Sequence, residues 1–210
     1  MGYSKLVIEE AEKLKAADVE EYLCRELSIK AWIEDVLSIK IDDSLAKALQ
    51  NGIVLCYLSS EIHPGSIPAI HEETKHFYHY KENVMFFTGE LEDLGMNKRD
   101  IFRIEDITDM ACTPRVVFCL EKYADVAEKK GLSVKVKPRP PKDFGEEAAA
   151  LVKEMPAKSV TELKRAIVVG RPQASKSTEN ASVKVSSLVI KKQIAIALGG
   201  VNAGKSKFIF

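Results

Sequence analysis

The stretch IKAWIEDVL sets the strongest constraint on the fold. It holds the single tryptophan of a 210-residue chain. Ile29, Trp32, Ile33 and Val36 recur at i, i+3, i+4, i+7, which gathers four large apolar side chains on one helix face. A helix of this kind gains most of its stability by burying that face, so neighbouring segments must supply apolar partners. They do. The run IVLCYL (53–58) is apolar on every side, as expected of a helix at the centre of a core. Val84, Phe87, Leu91 and Leu94 share one face of a helix predicted over 81–94, with Gly95 as its stop. Thr113 and Pro114 are placed as N-cap and first residue of a last helix that runs to Lys130, before Gly131.

The intervening segments fit the same class. Residues 4–17 suit a short amphipathic helix capped by Ser4, and the tryptophan helix is predicted over 19–38. Asp42 and Asp43 break it and are placed as caps of SLAKALQ, which Asn51-Gly52 interrupts. HPGSIPAI is turn chemistry, and NKRDIF and EDITDM read as short helical turns. Nothing before residue 131 alternates like a strand. The expected fold class is all-α: a compact bundle of six or seven helices over 3–131, followed by a basic and largely irregular C-terminal extension.

That extension divides further. Residues 132–144 form a proline-rich linker, expected to be extended and semi-rigid. Residues 145–170 hold two short helices, the second with Ser159 and Glu162 as a capping box. Residues 171–210 read as a mobile tail with a strand-like stretch, VKVSSLVIKKQIAIAL. The tail ends on Gly199, Gly204, Lys205 and Ser206 at the spacing of a phosphate-cradling loop, in which backbone N–H groups and the lysine meet phosphates and the serine meets magnesium. Such a loop must open a helix and sit on a parallel sheet, yet four residues follow Ser206 and no sheet precedes it. It therefore reads either as the opening strand and loop of a nucleotidase domain absent from this chain or as an accidental match, and no nucleotide hydrolysis is expected.

Composition narrows the function classes. The formal charge is zero overall, but 1–130 carries 16 basic and 25 acidic residues, a net of −9, and the remainder carries +9. The front is thus not built for nucleic acid. No run approaches the roughly 18 apolar residues of a membrane span, and the N-terminus is charged throughout. The four cysteines form no C-x-x-C pair and are expected as buried free thiols of a reducing, cytoplasmic compartment. His71, His76 and His79 crowd HEETKHFYHY, but a zinc site needs a further ligand. They are read as a loop packed by Phe77, Tyr78 and Tyr80, with no metal and no cofactor expected. The pairs Glu105/Asp106 and Asp42/Asp43 are read as helix caps rather than as an acid/base pair.

Four motifs, in order and correctly spaced, resemble the calponin-homology family: IKAWIEDVL, LAKALQNGIVLCYLSSEIHPGSI, ENVMFFTGELEDLGM and DIFRIEDITDMACTPRVVFCLEKYA. The residues carrying the resemblance are Trp32, Gly52, Leu55, Asn83, Phe87 and Asp106, with Pro114 opening the last helix. The module is similar to the single, calponin-type kind, and its start is most similar to that of IQGAP and its fungal ring-assembly relatives. The resemblance implies a helical bundle that binds actin filaments as a cytoskeletal adaptor, without enzymatic activity. It also places the first long helix and the last one in the region that paired modules present to actin. On those helices the candidate contacts are Arg25, Lys30, Arg115, Lys122, Lys129 and Lys130, with the basic tail as an auxiliary electrostatic contact. Two other readings remain open: a nucleotidase fragment with a targeting module, and a signalling adaptor that never touches actin.

Overall fold

A computed structural model describes residues 4–73, 76–132 and 137–172. The described residues are helical, without a strand: α1 Lys5–Lys13, α2 Ala16–Leu37, α3 Leu45–Leu49, α4 Ile53–Ile62, α5 Phe77–Asp93, α6 Ile104–Thr108, α7 Thr113–Lys129, a 3-10 turn Pro141–Phe144, α8 Gly145–Glu154 and α9 Ala157–Gly170. The terminal phosphate-loop pattern and the strand-like stretch before it lie outside the described residues.

Trp32 is the hub. Its ring meets Tyr123 of α7 edge-on at 6.4 Å, Tyr123 meets Phe87 of α5 at 5.5 Å, and Phe87 stacks on Phe102 at 6.1 Å. Such edge-to-face pairs add about 0.5–1.5 kcal/mol each beyond the area they bury. Around this chain of rings, α2 packs on α4 and α7, α4 on α5, and α6 bridges α5 and α7. Leu55, Leu58 and Ile62 of α4 are wholly buried, in keeping with a helix that is apolar on most sides. His63 Nδ1 lies 2.5 Å from buried Glu90 Oε1 and ties the turn after α4 to α5. All four cysteines are free and buried. Burial pushes the Cys56 and Cys119 thiols up to about 12, so both stay neutral and unreactive at physiological pH.

Several local expectations shift. Ser4 caps α1 as expected, its Oγ accepting from Val7 N at 3.4 Å. Ser44, not Asp42 or Asp43, caps α3 by accepting from Lys47 N. Cys112 is the N-cap of α7, so Thr113 is its first residue and Pro114 its second. The proline still fits, because a first-turn N–H has no intrahelical acceptor to lose. The capping box at Ser159 and Glu162 does not form: α9 starts three residues earlier, after Pro156, and Ser159 lies inside its first turn.

The larger difference lies after residue 131. The two short helices expected over 145–170 form as α8 and α9, but with residues 137–144 they belong to the compact unit that spans Met1–Gln173 rather than to a separate extension. The Ser28 hydroxyl of α2 donates to Arg139 O at 2.5 Å, and the Arg139 guanidinium lies 5.1 Å from the Phe144 ring centre. α8 lies along α2, and α9 packs on α1 and α7. Ala148 and Ile167 are as buried as any residue of the first 131.

Candidate functional site

The two long helices α2 and α7 lie side by side and carry five of the six cationic candidates, the sixth, Lys130, being the C-cap of α7. The structure divides these six by what already holds them. Arg25 reaches from α2 to α7, with Nη1 at 3.1 and 3.2 Å from the two carboxylate oxygens of Glu121, and Nη2 at 2.8 Å from Glu21 one turn back. The Glu21 hydrogen bond, helped by Glu121, raises the Arg25 pKa above its ordinary value. Burial raises the Glu121 carboxyl, with Arg25 opposing. This cation is shared between two carboxylates and clamps the helix pair.

Arg115 is held more tightly. Its Nη1 sits 2.9 and 2.8 Å from the carboxylate oxygens of buried Asp106, and its Nη2 donates to Val169 O at 2.8 Å. Asp106 also accepts from Arg103 N at 2.7 Å, so one carboxylate caps α6 and anchors α7, while the arginine locks the end of α9 onto both. Asp106 thus closes the capping box of α6 from inside its first turn, where Glu105 also lies, while the N-cap position is Arg103. Lys30 is half-buried, with Nζ 3.4 Å from Asp43 O. Lys122 and Lys129 on α7 and Lys130 at its C-cap are exposed, outside both arginine networks. Lys122 and Lys129 are seven residues apart and so share one helix face, with Lys130 beside them at the helix end.

A groove of about 390 Å³ runs between α2, α7 and the end of α9. Asp18, Glu21, Glu121 and Asp125 line it together with Arg25, Lys122 and Arg171. Arg171 Nη2 lies 3.7 Å from Asp18 across it. The groove is mixed in charge with a slight acidic excess and holds no nucleophile paired with a base. Its α9 wall has no precedent in the sequence reading, because only packing brings residue 171 to residue 18.

The residues that carried the family resemblance are structural. Trp32, Leu55, Asn83, Phe87 and Asp106 are all buried. Asn83 donates to Asn51 O and His71 O and accepts from His71 N, fixing the segment before α5 and the break before α4. Gly52 sits at φ +73°, and a Cβ there would fall 2.7 Å from the Asn83 Cβ. The sequence treated the histidines as one cluster. In the structure His71 and His79 meet ring to ring, and Glu82 joins them. The signal available for Glu82 was its i, i+3 spacing from His79.

The family model of the calponin homology (CH) domain matches residues 23–129. Calponin-2 of Sus scrofa is 32% identical over 108 residues, which cover 51% of this chain and 36% of that protein. The Ras GTPase-activating-like protein IQG1 of Candida albicans is 35% identical over 115 residues, covering 52% of this chain and 7% of that protein. The chain thus spans one portion of each of these longer relatives. Among solved structures, the calponin-homology domain of Rng2 from Schizosaccharomyces pombe superposes with a TM-score of 0.54 at 19% identity, over 71% of this chain and 89% of that one. The calponin-homology domain of an IQGAP protein from the same yeast gives 0.51 at 20% identity, over 66% and 89%. These two likenesses establish the helical fold, and the family model covers half of the sequence: the chain belongs to the calponin homology domain family.

Proposed function

We propose that this protein is a non-catalytic cytoskeletal adaptor that binds actin filaments through its calponin homology domain. The family membership of residues 23–129 carries this reading. The helix pair α2–α7 supports it by presenting cations that, among the described residues, join no internal ion-pair network. Lys122, Lys129 and Lys130 are the primary contacts. Lys30 is a secondary one, and Arg25 and Arg115 act as struts that hold the surface in shape. An acidic front half facing an acidic filament meets net repulsion, screened beyond about 8 Å at physiological salt. Binding therefore needs a local cationic strip at short range, which the exposed lysines of α7 provide. The basic residues beyond 172 add a second, salt-sensitive contact by tethering.

Co-sedimentation of the full chain with actin filaments tests this. The triple substitution Lys122→Glu, Lys129→Glu, Lys130→Glu is expected to weaken binding about tenfold or more at low salt, while Lys5→Glu on α1 leaves it unchanged. Pelleting that ignores the triple substitution would remove the α7 surface from consideration. A chain that never pellets would be a signalling adaptor instead.

A further inference from the structure

We propose that His71, His79 and Glu82 form a binding site for a divalent transition-metal ion, with zinc the best match to the donor set. The three residues offer two imidazole nitrogens and a carboxylate oxygen within 4.8 Å of one another, and all three are half-buried. His71 Nε2 already lies 3.1 Å from Glu82 Oε2. The His71 and His79 rings are 4.8 Å apart and nearly parallel, at 11°. Two imidazoles plus one carboxylate is a set that zinc takes with a fourth position open to water or a partner's side chain.

The supporting contacts are those such a site requires. His79 and Glu82 lie three apart on α5 and so share a helix face. His71 comes from the segment before that helix. Its backbone is held at both polar atoms by buried Asn83, which accepts from His71 N at 2.9 Å and donates to His71 O at 3.1 Å. Asn83 thus holds His71 next to the first turns of α5. His79 Nδ1 lies 3.1 Å from Glu73 O. A carbonyl can only accept, so this nitrogen carries the proton and Nε2 keeps its lone pair, the outer-shell arrangement that orients metal-binding histidines. A simple hydrogen bond between His71 and Glu82 would account for that one pair. It does not involve His79, whose ring lies over His71 and whose ligand nitrogen stands within 4.8 Å of both other donors. With bonds of about 2.0–2.1 Å, tetrahedral ligand atoms stand about 3.3 Å apart. Imidazole lone pairs lie in the ring planes, so the two nearly parallel histidine rings would have to rotate toward a common point as well as approach by roughly an ångström. His76 is exposed and lies outside the cluster of three donors, so it serves as the control. The bound ion would fasten the segment around His71 to α5.

The test titrates the full, reduced chain with zinc against a chromophoric chelator, and with cobalt(II) followed by absorption. The expected result is one ion per chain, with the visible bands of a four-coordinate cobalt site and no thiolate-to-cobalt charge transfer. His79→Ala and Glu82→Gln should each weaken affinity at least about tenfold, while His76→Ala changes it less than twofold. Circular dichroism checks the fold of every variant, and Glu82→Gln is close enough in shape to keep the helix if His79→Ala does not. A thiolate charge-transfer band would put the metal on the cysteines and overturn the proposal. Equal affinity in all variants, or no binding at micromolar ion, would overturn it too.

Discussion

Gly52 shows how far a single residue is determined from each direction. Its place after Asn51, between two apolar helical runs, marks a break in the helix, and its φ of +73° is the conformation such a break needs. The second constraint comes from α5, because a Cβ at 52 would stand 2.7 Å from the Asn83 Cβ and 2.9 Å from Val84 N. Backbone strain of about 1–3 kcal/mol and a clash of similar size therefore both act on an alanine at this position. Gly52→Ala is expected to lose about 2–4 kcal/mol of unfolding free energy, read as a lower urea midpoint at unchanged slope. A loss under about 0.5 kcal/mol would mean that α5 simply moves aside. The cationic candidates teach the complementary lesson. Arg115 looks like a surface residue in sequence, yet it neutralises buried Asp106 and holds Val169 O. Lys122 looks the same in sequence and is indeed exposed. Spacing along α7 could not separate them, because the partners that do so lie nine or more residues away.

At the scale of elements, most of the helices were legible and their docking was not. Caps, glycine stops and apolar periodicity are local signals, so boundaries fell within a few residues. The largest misses are four residues: α1 ends at Lys13 rather than 17, and α5 starts at Phe77 rather than 81. α9 was visible as a helix and invisible as a lid. Ile167 is 1% exposed, Cys112 Sγ points at Ala166 O, and Lys164 Nζ donates to Leu14 O at the end of α1. Gly170 has no room for a Cβ, which would meet Arg115 N at 2.7 Å. If α9 completes the same core as Trp32, Ile167→Ala should cost about 2–4 kcal/mol. The whole loss should then appear in the urea transition followed by Trp32 fluorescence. A tryptophan transition that ignores the substitution would make α9 a separately melting appendage.

For the molecule as a whole, the pH dependence of stability follows from what the bundle buries. Burial raises the Glu26 carboxyl above its ordinary value, with the Tyr22 hydroxyl and Lys30 partly opposing. A carboxyl with a raised folded-state pKa binds its proton more tightly in the native protein than in the unfolded chain. Its contribution is therefore fully present below the unfolded value of about 4.5 and is lost as pH rises through the folded one. Glu26→Gln, which carries no charge at any pH, should be more stable than the natural chain at pH 7, and the gap should close at pH 4. Urea midpoints at the two pH values measure it, and a gap of the same size at both would dissociate the effect from ionisation. Along the same chain, the sequence alone determined the all-α class, the tryptophan-centred interior and the family, because these rest on patterns repeating every three or four residues and on short ordered motifs. Only the tertiary structure decided that α8 and α9 belong to the body, that Arg25 and Arg115 are struts while three lysines face solvent, and that Glu82 stands beside His71 and His79. Each of these depends on side chains meeting across different elements, and helical periodicity records which face is apolar but not what that face will meet.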